Sequence, residues 1–139
     1  MSTRCQVKIQ KFGVKNDTDA VTLYHHCDGY PSVMVPLMAQ AYQPEWKHGR
    51  VGKVASFVVA EDPDGYEVEQ GHAIHGDIEW YYVLDVKSDS MVDATPEWFL
   101  TVYEVPGVVK STKGMRKVFT GRIHEAVPLA DSMEVNEEE

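Results

Sequence analysis

The sequence predicts an α+β fold, a mostly antiparallel sheet of about five strands with two helices on one face, in the order β-β-α-α-β-β-β. Three observations carry that expectation. Residues 4–11 and 21–28 alternate apolar and polar side chains with a period of two. An apolar stretch follows whose repeat fits helices, and residues 77–86 and 98–105 then return to strand character, rich in aromatic and branched residues.

Taken in order, Cys5, Val7 and Ile9 share one face of the first strand, and Gln6, Lys8 and Gln10 share the other. Val21, Leu23, His25 and Cys27 alternate in the same way with Thr22, Tyr24, His26 and Asp28. The two runs predict an antiparallel hairpin around a polar loop, Gly13 to Ala20, which sets Cys5 nearly opposite Cys27 as a buried pair of free thiols, with a disulfide or a metal role as the alternative. Asp28-Gly29-Tyr30-Pro31-Ser32 is a turn, and the helix after it, Val33 to Tyr42, must hold Pro36 in its first turn to tolerate it. A second helix is expected at 51–60, because Val51, Val54, Ala55 and Val58 fall on one stripe. Asp62-Pro63-Asp64-Gly65 ends it and starts a strand with Tyr66, Val68 and Gln70 on one side. The strand at 77–86 puts Ile78, Trp80, Tyr82, Leu84 and Val86 on one face, with Trp80 and Tyr82 under the helices, and Asp77, Glu79, Tyr81, Val83 and Asp85 on the other. Trp98 to Val105 is the next strand, and Lys117 to Ile123 adds a short last one. Residues 1–130 thus form one domain, and 131–139 are expected to be a disordered acidic tail.

The chain has 139 residues and a formal charge of −9. Such a balance argues against an extended nucleic-acid footprint. The charge is uneven: residues 61–104 hold twelve acids and one base, whereas 106–124 hold five bases and no acid. No apolar run approaches the roughly 20 residues of a membrane span, and the first residues lack the apolar centre of a signal peptide, so the expected location is the cytoplasm.

Several residues could carry chemistry. His26 and Asp28 point the same way on a strand, as do His75, Asp77 and Glu79. If their strands are neighbours, two imidazoles and three carboxylates meet, a set able to hold a divalent metal such as zinc or manganese, or to divide acid and base roles. The plainer reading is that Asp28 and Asp77 cap turns. Tyr81 among Asp77, Glu79 and Asp85 reads as an exposed aromatic suited to a basic protein partner. Lys110, Lys113, Arg116 and Lys117 could grip a phosphate. Phosphate-loop, nucleotide-fold and serine-nucleophile motifs are absent.

Tyr24-His25-His26-Cys27-Asp28-Gly29-Tyr30-Pro31 and His75-Gly76-Asp77-Ile78-Glu79-Trp80-Tyr81-Tyr82 resemble the shared words of an uncharacterised family of small phage, prophage and bacterial proteins. Those words are Tyr-x-His-x-Asp-Gly-Tyr-Pro and His-x-Asp-Ile-Glu-aromatic, and the resemblance spans roughly residues 5 to 86. It implies recurring positions and a phage origin but no catalytic role. The expected function is therefore a non-enzymatic acidic binding protein of phage type, working in the host cytoplasm. It would inhibit a host defence or nucleic-acid-processing enzyme through that enzyme's basic surface and need no cofactor. A small metal-dependent hydrolase or nucleotide-handling protein, and a sponge for a small anionic signalling nucleotide, stay open as alternatives. So does a homodimer.

Overall fold

The computed structural model describes residues 3–11, 20–42, 51–86 and 98–134. The polar loop placed between Gly13 and Ala20 falls almost wholly outside the described residues, as do Asp89, Asp93 and Glu97. Strands β1 (Cys5–Lys11), β2 (Val21–His25), β3 (Tyr66–Val68), β4 (Trp80–Val86), β5 (Phe99–Glu104) and β6 (Arg116–Arg122) form one sheet in the order β3-β2-β1-β4-β5-β6. Helices α1 (Pro31–Gln40), α2 (Val51–Ala60) and α3 (Ile123–Ala126) complete the α+β fold. The short run at the end of the chain does make a strand, so the sheet has six strands.

Four of the strand pairings are antiparallel, and the central one, β1 with β4, is parallel. Alternation decides what each face carries. Val7, Ile9, Leu23, Tyr82 and Leu84 are fully buried on the face that meets α1 and α2. Trp80 and Tyr82 lie there as their spacing requires, but β4 starts at Trp80 and not at Asp77, so Ile78 escapes the alternation and packs on the other side with Tyr81. Burial of this set is the main stabilising contribution, about 1.5–3 kcal/mol for each large aliphatic side chain.

Helix α1 begins two residues earlier than its sequence suggests, because Pro31 has a φ suited to the first helical position and needs no N–H partner there. Tyr30 Cα is extended and its carbonyl accepts from the Val33 and Met34 amides at 3.0 and 2.8 Å. Pro36 therefore lies inside the helix and not in its first turn, and removes one backbone bond in mid-helix. The Cys5–Cys27 pairing is not formed: β2 ends at His25, which takes the place opposite Cys5, and Cys27 is exposed in the following turn. Cys5 stays a free thiol whose pKa burial pushes well up.

Where a disordered tail is expected, the chain is packed through Glu134. Met133 is buried, and the Glu134 carboxylate accepts the Ser32 amide at 2.7 Å, where a negative charge favours the start of α1. Among the described residues, no helix is long and apolar enough to cross a membrane.

Tyr82 ties the two motif regions together, its phenol donating to the Gly29 carbonyl at 2.6 Å inside the core. Tyr82→Phe should cost about 1–2 kcal/mol in urea unfolding, because the carbonyl is left buried without its donor.

Candidate functional site

Much of the sheet face away from α1 and α2 is covered. After β3 the chain runs back over it through residues 69–79, and residues 105–115 cover the next part, so Tyr24, Ile78, Tyr81 and Val105 make a second small core. The residue that anchors the first of these segments is Gln6. Its amide, fully buried, donates from Nε2 to the Ala73 carbonyl at 3.0 Å and accepts the His75 amide on Oε1 at 3.0 Å. Both ends of a buried amide are thereby satisfied, which holds His75 at a fixed place on the sheet. Thr22 adds a hydrogen bond to His72 Nδ1 at 2.7 Å, and its carbonyl accepts the Glu69 amide at 2.9 Å. Alternation assigns Gln6 to the polar face of its strand but not to this role, because the segment it grips lies about 70 residues later.

Tyr24 is the centre of the cluster that results. Its ring meets the His26 imidazole edge to face at 4.7 Å and the His75 imidazole at the same distance, tilted by 45°. Glu67, opposite Tyr24 in the register of β2 and β3, accepts from His26 Nε2 at 2.9 Å. Glu69 accepts from His75 Nε2. The Tyr24 phenol donates to Asp77 Oδ2 at 2.7 Å, and Arg4 Nε stands 3.6 Å from the same oxygen. Burial first, and then the bond to Asp77, push the Tyr24 phenol up to about 12. It remains a neutral donor across the physiological range, a clamp on the carboxylate and not a proton carrier.

The two motifs are therefore brought together, though only in part. His26, His75 and Asp77 converge on Tyr24. Asp28 does not: its backbone is left-handed, with φ of 56°, and the residue sits exposed in the turn before Gly29. Glu79 is exposed beside the cluster, its amide donating to the Arg4 carbonyl at 2.8 Å. Among the described residues, no group of three or more His, Cys, Asp or Glu side chains is arranged to hold a metal ion. Each imidazole is instead taken up by its own glutamate.

Tyr81 is where the sequence misleads. It is 4 % exposed, packed with Ile78, Tyr24 and Val105, and so cannot be a protruding contact. Asp85 is half-buried and bonded to Gln10. Of the basic strip, Lys110, Lys113 and Lys117 are exposed, but Arg116 is committed to Glu104 through Nη2 at 2.6 Å and Nε at 2.8 Å.

A second polar pair was not expected. His25, on the helix side of β2, is 1 % exposed, and its Nε2 donates to Asp62 Oδ2 at 2.7 Å. Its ring packs edge to face on Tyr66 at 4.7 Å, and His25 Nδ1 and the Tyr66 hydroxyl are buried without a partner among the described residues. The signal available in the sequence is the position of His25 on an otherwise apolar strand face, followed by the Asp62-Pro63-Asp64-Gly65 turn.

Comparison with protein-family models, with curated proteins and with solved structures finds no match.

Proposed function

We propose that this protein is a non-enzymatic acidic binding protein, and that its contact surface is the edge built from Glu67, Glu69, Asp77 and Glu79 around Tyr24. The observation that supports this reading is how the carboxylates are held. Glu67 and Glu69 are each bound to an imidazole and Asp77 to a phenol, with Arg4 the cation beside them. The partners fix the carboxylates in place. A preset array of this kind costs little entropy when a basic surface docks, and steers the encounter over several Å.

The partner is a protein with a basic surface. With the phage resemblance, the class proposed is a host defence or nucleic-acid-processing enzyme, whose nucleic-acid groove supplies the positive charge. Compared with the expectation from sequence, the contact moves from Tyr81 and Asp85 towards Glu67 and Glu69 and keeps Asp77 and Glu79.

The test is charge reversal at two exposed positions. Glu67→Lys combined with Glu79→Lys should leave the thermal melt within about 1 kcal/mol of the parent, since exposed pairs contribute little. Capture of the partner from host lysate at about 0.05 M salt should fall at least tenfold in the double variant, and fall likewise for the parent at about 0.5 M salt. Equal capture by parent and variant, or capture indifferent to salt, would sink the reading.

A further inference from the structure

Away from the Tyr24 cluster, the covered face of the sheet holds a pocket of about 270 Å³. Its walls are side chains that alternation sends to this face: Lys8 and Gln10 of β1, Tyr81 and Asp85 of β4, and Thr101 and Tyr103 of β5. The volume lies just under the ~300 Å³ at which small-molecule sites begin, enough for one planar ring system with little to spare.

Asp85 gives the pocket its chemistry. Gln10 Nε2 donates to Asp85 Oδ1 at 2.8 Å, and no cation pairs with this carboxylate among the described residues. Burial pushes the Asp85 carboxyl up, and the Gln10 bond only partly offsets it. A half-buried carboxyl facing a cavity, with one amide as partner, is an acceptor that lacks donors. The aromatic side is supplied by Tyr81 and Tyr103, directly opposite in the register, with ring centroids 6.2 Å apart and planes at 46°.

We propose that this pocket binds the 2-amino-4-oxo-pyrimidine edge of a neutral heterocycle, the edge found in guanine and in pterins. Such an edge presents a ring N–H and an amino group side by side, matching the two oxygens of one carboxylate. Its π-face can lie against the half-buried Tyr103 ring, which lines the pocket. A phosphate is disfavoured, because it would meet the Asp85 carboxylate.

The experiment titrates the full chain with guanosine, inosine and adenosine, followed by amide chemical shifts and calorimetry. Guanosine should bind and shift the amides of β1, β4 and β5. Inosine, which has the ring N–H but no amino group, should bind about tenfold more weakly, and adenosine should not compete. Asp85→Asn keeps the shape and replaces one acceptor oxygen by a donor, so guanosine affinity should fall at least tenfold. No binding of guanosine, equal affinity for guanosine and adenosine, or undiminished guanosine affinity in Asp85→Asn would overturn the assignment. The first two outcomes are read on the unmodified chain and do not depend on how the variant folds. The proposal is also independent of the acidic contact surface, since none of the pocket's residues belongs to it.

Discussion

Tyr24→Ala should destabilise the protein by about 3–5 kcal/mol, the cost of deleting a buried aromatic. More than packing goes with it. The ring is the common neighbour of the His26 and His75 imidazoles, and its hydroxyl is the hydrogen-bond donor to Asp77. Tyr24→Phe separates the two contributions, keeping both ring contacts and removing only the bond to Asp77, for about 1 kcal/mol. Urea unfolding of both variants reads the difference, and equal losses would show that the ring does not anchor the cluster. The phenol also leaves a mark at high pH. In the unfolded chain a tyrosine ionises at its ordinary value of 10, whereas folded Tyr24 keeps its proton to about 12. The unfolded state therefore loses its proton first, and stability falls as pH rises from 10 to 12. Tyr24→Phe should lose less stability over that window. Part of the fall will remain, because burial also raises Tyr66 and Tyr82.

Gly65→Ala is the second large effect. A Cβ at Gly65 would stand 2.5 Å from Asp62 Oδ2 and 2.6 Å from His25 Nε2, the two atoms of the buried hydrogen bond. One of them must move. His25 Nδ1 already has no partner, so breaking the bond leaves the whole imidazole buried and unsatisfied, at about 2–3 kcal/mol. The Gly65 carbonyl also accepts the His26 amide at 3.1 Å, so the strain passes directly to the neighbouring cluster. Gly71→Ala is the matched control, because a Cβ there meets nothing within 4 Å. It should change stability by less than about 0.5 kcal/mol. Similar melting temperatures for the two alanine variants would refute the close-contact argument.

These residues also show how far a single sequence carries. Val7, Ile9, Leu23, Tyr82 and Leu84 are legible as core because a strand exposes each face at every second residue, and that period survives any arrangement of the strands. Tyr81 obeys the same period and is nevertheless misread. Alternation reports which face a side chain takes, and only the path of residues 69–79 and 105–115 decides whether that face is wet. Gln6 is misjudged for the same reason: a polar residue on a polar strand face looks solvated until a distant segment settles on it. The convergence of His26, His75 and Asp77 follows from spacing plus neighbouring strands, but Asp28 escapes it, because β2 stops at His25 and the turn takes a left-handed residue.

Pairing is the other decision that local pattern does not contain. The β1–β2 hairpin can be read from two alternating runs with a polar stretch between them, since the partners are close in sequence. The parallel pairing of β1 with β4 joins Cys5 to Trp80, and no turn residue encodes a contact at that separation. It forms because both strands bury the same face against α1 and α2, and a single core is the cheapest cover for both. The sequence by itself determined the α+β class, helices α1 and α2, the core-facing side of the long central strands and the acidic balance, all of which depend on neighbours a few residues away. The tertiary structure alone decided which polar side chains met, that Tyr24 and not Tyr81 stands at the centre of the acidic site, and that Asp85 closes one side of a pocket. Those outcomes depend on what covers the second sheet face, where burial energy is set by segments tens of residues apart.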